Sequence, residues 1–163
     1  MLDVLERLPQ TFCHLDAWRG NLFSGPEADG AQRLIAIDWA SPGLGTIATD
    51  IGDLMAPSFG LFRVEPCDPR TLDRVIFESY LEGLSAAGWQ GDRSVVRCAF
   101  ALFTALKYGC LLFWLHQITD ESQHASWVQR RGHPFDECLQ QQAALIYYLL
   151  DLADEGRGLL DLV

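Results

Sequence analysis

After a short amphipathic opening, the hydrophobic positions of this chain fall into two regimes. Brief apolar runs broken by turn residues extend as far as Gly45, and helical three- and four-residue spacings follow. Leu2 to Leu8 reads as the end of a helix stopped by Pro9, which has no N–H to donate and clashes with a continuing helix. Thr11 to Cys13 leads into a loop. Leu22-Phe23 and Leu34-Ile35-Ala36-Ile37 read as two short strands, with the turn residues Ser24 to Gly30 between them. An antiparallel hairpin of these strands sets Asn21 at the entry of one beside Asp38 at the exit of the other.

Ser41 to Gly45 reads as a glycine-rich turn, after which Thr49 can cap a short helix holding Asp50, Ile51, Asp53 and Leu54. Asp68-Pro69 opens the next helix, with Leu72, Val75, Ile76, Ser79, Tyr80 and Leu84 on its repeating face. Asp92 can cap a long apolar helix from Val95 to His116. Pro134 and Asp136 precede the last helix, with Leu139, Ala143, Ile146, Leu149, Leu150 and Ala153 on one side and Gly156 as its stop. With no repeat, low-complexity tract or linker, the expectation is one domain over residues 1–163, with a motif region at 12–54 and a helical region at 68–156. The fold class expected is α+β, mostly helical, with a small β-hairpin near the N-terminal end.

Composition narrows the functional classes. A chain of 163 residues with 49% hydrophobic and 21% charged positions can bury a real core. Its net charge of −10 argues against nucleic acid or an anionic membrane as partner and is compatible with a cationic small substrate. The Val95–His116 run is interrupted by Arg97 and Lys107, and a charge at the centre of a spanning helix costs roughly 3 kcal/mol, so the reading is a buried core helix. Five cysteines without a Cys-x-x-Cys pair, and an acidic start with no signal pattern, point to reduced thiols in a cytoplasm. Lys107 is the only lysine beside 11 arginines, and the apolar run places it deep in that helix.

The chemistry-bearing residues lie early. His14-x-Asp16 is followed by Asn21, and the Asp16-to-Asn21 spacing is that of a kinase catalytic loop, with Asp38 further on in Ile37-Asp38-Trp39. Gly45 then precedes Asp50-Ile51-Gly52-Asp53-Leu54. Over Phe12 to Leu54 this pattern resembles the C-terminal lobe of the kinase-like small-molecule phosphotransferases, the family of aminoglycoside phosphotransferases and choline kinases. The resemblance implies the C-terminal lobe of a protein-kinase-like fold whose hairpin carries the metal residues. It implies ATP- or GTP-dependent transfer of phosphate to a hydroxyl of an aminoglycoside-, choline- or metabolite-like molecule. Asp16 would take the hydroxyl proton, Asn21 and Asp38 would bind Mg2+, and His14 and Asp50 would support the loop. Arg19 stands where it could contact phosphate or pair structurally, and Trp18-Arg19 replaces the His-Pro common in the family loop.

Taken singly, each of these residues has an ordinary structural explanation as a turn, cap or hydrogen-bonded side chain. So do His116, His124 and His133 as surface or cap groups, Trp89, Trp114 and Trp127 as core aromatics, and Asp120-Glu121 and Asp136-Glu137 as helix-start charges. The kinase template also needs a glycine-rich phosphate cover and a strand lysine paired with a helix glutamate, and neither pattern occurs in the sequence. Activity of this chain alone is therefore not expected. Three explanations follow: a fragment or misassigned start of a longer enzyme, a non-catalytic binding remnant, or completion by another chain. A homodimer through the face left by the missing β lobe fits the second. A metal hydrolase using His14, Asp16 and Asp38 is a further reading.

Overall fold

A computed structural model describes residues 2–26, 32–110 and 116–162. The chain is mostly helical, with two small antiparallel ribbons at its N-terminal end. Helix α1 (Leu2–Arg7) precedes β1 (Gln10–Cys13), and a 3-10 turn (Arg19–Asn21) leads into β2 (Leu22–Pro26) and β3 (Gln32–Ala36). Strand β4 (Gly43–Thr46) follows. The helices are α2 (Thr49–Gly60), α3 (Pro69–Ala86), α4 (Arg93–Tyr108), α5 (Glu121–Arg131) and α6 (Phe135–Gly158).

The expected hairpin forms: β2 pairs with β3 in the register Leu22↔Ala36 to Pro26↔Gln32. The ladder is carried one step further by a bond from the Ile37 N–H to the Asn21 carbonyl (2.9 Å). The segment read as a glycine-rich turn differs, because Gly43 to Thr46 is the strand β4, paired with β1 as Gln10↔Thr46 to Cys13↔Gly43. Glycine is depleted in strands in general, which hid it. Here Gly45 packs tightly: a Cβ at that position would lie 3.0 Å from the Cys13 sulfur and 3.2 Å from the Leu15 side chain.

The core lies where α4 crosses α2 and α6. Val96, Phe100 and Leu102 of α4 meet Met55 and Phe59 of α2 and Leu145, Leu149 and Leu152 of α6. Each such side chain contributes about 1.5–3 kcal/mol by leaving water. Close approach requires glycine twice. A Cβ on Gly52 would stand 2.5 Å from Thr104 Oγ1, and one on Gly156 would stand 2.8 Å from the Leu102 side chain. Gly156 is thus a packing glycine inside α6, which continues to Gly158 rather than stopping there.

Other helix boundaries and faces also shift. Thr49 is not the cap of α2: it is buried in the first turn, and Ala48 precedes it in a left-handed conformation (φ 72°). Asp92 does cap α4, its carboxylate accepting the Ser94 N–H at 2.8 Å. That helix ends at Tyr108 with Gly109 as its C-cap, so it does not run to His116, and residues 111–115, Trp114 among them, lie outside the described set. Val75 is exposed on α3, which buries Asp73 and Phe77 instead. The buried face of α6 runs through Cys138, Gln142, Leu145, Leu149, Leu152 and Gly156, displaced from the face expected, and leaves Leu150 exposed.

Arg97 reconciles a charge with an apolar helix. Its guanidinium binds Asp73 at 2.6 and 2.8 Å and Glu155 at 2.6 and 2.8 Å, and lies over the Phe77 ring. One side chain thereby ties α3, α4 and α6. Trp127 is fully buried and donates to Gln117 at 2.7 Å, so it belongs to the core and not to a binding surface. Asp120 caps α5 through the Ser122 N–H, and Asp136 and Glu137 lie in the first turn of α6. All five cysteines are free thiols, with Cys13, Cys98 and Cys138 buried. Among the described residues no helix is long and apolar enough to cross a membrane.

Candidate active site

The loop after β1 is fixed by the helix that follows β4. Asp50, in the first turn of α2, accepts the His14 N–H on Oδ2 and the Leu15 N–H on Oδ1, each at 2.9 Å. These are the bonds the resemblance implies for Asp50. Charge-assisted bonds of this kind are stronger than neutral ones, and here both oxygens of one carboxylate hold consecutive amides. Leu15 between them has φ 63°. A branched residue in the left-handed region costs of order 1–3 kcal/mol and persists only where its surroundings fix it.

Asp16 is exposed at the tip of this turn, and Asn21 is buried beneath it. Asn21 Nδ2 donates to Asp16 Oδ2 at 2.9 Å and to the Asp16 carbonyl at 3.0 Å, while its backbone N–H bonds the Trp18 carbonyl at 2.9 Å. The four residues separating Asp16 from Asn21 thus close a small ring of bonds. The Trp18 indole lies against Gly20 within it, and a Cβ there would stand 2.4 Å from that ring. These bonds commit the Asn21 amide nitrogen to Asp16.

His14 is buried behind the loop. Its Nε2 lies 2.8 Å from the Ile37 carbonyl, and its ring sits 4.4 Å from the Trp39 ring. Asp38 therefore follows directly on a residue tied twice to the loop, once to His14 and once to Asn21. Asp38 itself has φ 61° and an exposed side chain. Asn21 is bonded to Asp16, and His14 and Asn21 both bond Ile37, the residue before Asp38. Its carboxylate and the Asn21 oxygen are hard oxygen ligands of the kind Mg2+ takes. The Ile37 contact takes one ring nitrogen of His14, Nε2, and leaves Nδ1 buried without a hydrogen-bond partner among the described residues. Arg19 points elsewhere, donating to the Arg63 carbonyl at 2.7 Å.

One part of the site was not singled out from the sequence. Lys107 does not lie deep in its helix. It stands at the exposed C-terminal end of α4, where Nζ meets Asp53 Oδ1 at 2.6 Å and the Leu15 carbonyl at 3.4 Å. Tyr108 donates to the same Asp53 oxygen at 2.7 Å. Asp53 is fully buried, and burial pushes its carboxyl above the ordinary range against the opposing pull of Lys107 and Tyr108. Burial, reinforced by the Asp53 charge and hydrogen bond and more weakly by Asp16, raises the Tyr108 hydroxyl strongly. The signal in the sequence was available: an acid three residues after Asp50 on the same face of an apolar helix needs a cationic partner, and the chain has one lysine.

A cavity of about 530 Å³ lies elsewhere, between α3, α4 and α6. Its Arg70, Arg93 and Arg97 are each paired with acids, Asp151, Glu78, and Asp73 with Glu155 respectively. It is lined by a structural ion-pair network and by none of the motif residues. The ribbon end is different in character. Phe12, Leu34 and Leu44 are 66%, 67% and 79% exposed, and Phe23, Ile35, Ile37 and Trp39 are exposed beside them. No family model matches this chain, and no curated protein or solved structure matches it either.

Proposed function

We propose that this chain is the acceptor-side lobe of a kinase-type phosphotransferase that acts on a hydroxyl of a small molecule, with ATP as donor and Mg2+ as cofactor. The observation that carries the reading is the Asp50 carboxylate bridging the His14 and Leu15 amides while Asn21 holds Asp16 from below. A loop so constrained presents one exposed carboxylate in a fixed direction. In the reaction, the acceptor oxygen bonds the terminal phosphorus, its proton passes to Asp16, and the bond to the ADP oxygen breaks. The transition state is loose, so orientation of the acceptor counts for more than basicity. Asn21 and Asp38 would hold Mg2+, which supplies positive charge against the donor phosphates. The net charge of −10 favours a cationic acceptor such as an amino sugar or amino alcohol.

These residues include no cover for the nucleotide. The only lysine is engaged with Asp53, so the phosphate-binding lysine of the template is absent. The working unit in this reading therefore includes a further lobe, from additional chain or a second polypeptide, seated on the exposed ribbon end. The exposed apolar residues there also suit a second reading, a kinase-like binding module that pairs with another copy through that face.

Paramagnetic broadening separates the two. Mn2+ added with ATP should broaden the NMR signals of Asn21 and Asp38 first, and Asn21→Ala or Asp38→Ala should abolish the effect. Broadening centred elsewhere, or insensitive to both substitutions, would defeat the phosphotransfer reading and leave the binding module.

A further inference from the structure

We infer that Lys107 is a positioning residue for Asp16, acting through the Leu15 carbonyl; the catalytic half of this statement rests on the phosphotransfer reading above. The peptide joining Leu15 to Asp16 sets the direction of the Asp16 side chain, and its conformation is the strained one. Asp50 holds its N-terminal side through the Leu15 N–H at 2.9 Å, and Lys107 Nζ meets its carbonyl at 3.4 Å. Held at both ends, this unit cannot relax out of φ 63° without breaking a charge-assisted bond.

The lysine is itself held. Its ammonium binds the fully buried Asp53 at 2.6 Å and lies 5.3 and 5.6 Å from the Phe103 and Tyr108 rings. Asp50 and Asp53 stand one turn apart on α2, so one helix face grips the loop twice, directly through Asp50 and through Lys107 by way of Asp53. A lysine that served only to neutralise Asp53 would need no contact with the loop. The second contact makes α4 a support for the Asp16 turn.

The single lysine permits a test on the folded protein. Reductive dimethylation keeps the positive charge for Asp53 but leaves one N–H, which cannot serve both Asp53 and Leu15. Amide hydrogen exchange by NMR in the full chain should then be at least about tenfold faster at His14 and Leu15, whose amides Asp50 holds, while the melting temperature and exchange within α4 stay unchanged. Lys107→Arg protein, modified only at its N-terminus, is the control and should not respond to the reagents. In a phosphotransfer-competent assembly the same modification should lower kcat by about 10- to 100-fold and leave KM for ATP in place. Unmoved exchange at His14 and Leu15 would overturn the clamp. Faster exchange in a protein that transfers no phosphate would keep the clamp and defeat the functional reading instead.

Discussion

The Asp50 carboxylate and the Leu15 amide, 35 residues apart in sequence, are joined by a 2.9 Å bond that decides the shape of the whole motif loop. Its sister oxygen takes the His14 amide, so both bonds depend on one side chain. Asp50→Ala would leave two loop N–H groups without their acceptor. Donors left unsatisfied cost about 1–3 kcal/mol each when buried, so a loss of roughly 2–6 kcal/mol is expected for the pair. Asp50→Asn keeps one acceptor oxygen and should cost about half of that. Urea unfolding followed by circular dichroism checks both, and equal losses for Ala and Asn would contradict the paired-bond account.

Asp16→Asn keeps the size of the side chain and a partner for Asn21 but removes the proton acceptor. In the complete phosphotransferase, turnover should fall roughly 10²–10⁴-fold, the usual contribution of a general base. Magnesium–nucleotide binding, measured by calorimetry, should be little changed because Asp16 is not among the proposed ligands. Unchanged turnover would remove Asp16 from the chemistry.

The thiols give a pH-dependent prediction. Cys67 and Cys110 are exposed and should react quickly with a thiol reagent at pH 8, with Cys13, Cys98 and Cys138 reacting only on unfolding. Burial, helped by the Asp50 charge, pushes the Cys13 thiol from 9.0 up to about 11. The folded state therefore holds this proton longer than the unfolded chain does. The contribution to stability is complete below pH 9.0 and is lost as pH rises towards about 11. Denaturant melts across that range should show a decline of up to about 1.4 kcal/mol per pH unit from this group, which Cys13→Ala should remove.

Arg97→Leu should be among the most damaging single changes outside the loop. It strips the partner from Asp73, a carboxylate whose side chain is 7% exposed. Breaking a buried pair from one side costs about 3–5 kcal/mol. Arg97→Leu combined with Asp73→Leu should recover part of this loss, as read from urea midpoints; no recovery would mean that the guanidinium acts through its stacking on Phe77 and not through charge.

What was legible in the sequence is the part written in local spacing. The hairpin, the Asp92 cap and the Asp16-to-Asn21 interval depend on near neighbours, so the order of residue types suffices. Helical periodicity names an apolar stripe but not its partner: Leu72, Ile76, Tyr80 and Leu84 of α3 do pack on the core while Val75 does not, and the buried face of α6 is displaced from the stripe expected. Asp73 and Gln142 are buried where hydrophobicity alone would leave them out. Strand β4 escaped because glycine's reason for being there lies in Cys13 and Leu15, across the sheet. Lys107 was misplaced for a similar cause: a charge amid apolar residues reads as depth, whereas the helix ends one residue later and the ammonium leans onto Asp53. Contacts between distant segments select these positions, and no window along the chain contains them.

The bare side chains of Phe12, Leu34 and Leu44 set the thermodynamics of whatever settles on the ribbon end. Covering them releases hydration water, so association there carries a negative heat-capacity change. Its hydrophobic driving force fades on cooling and is less sensitive to salt than contacts made by the charged helical side.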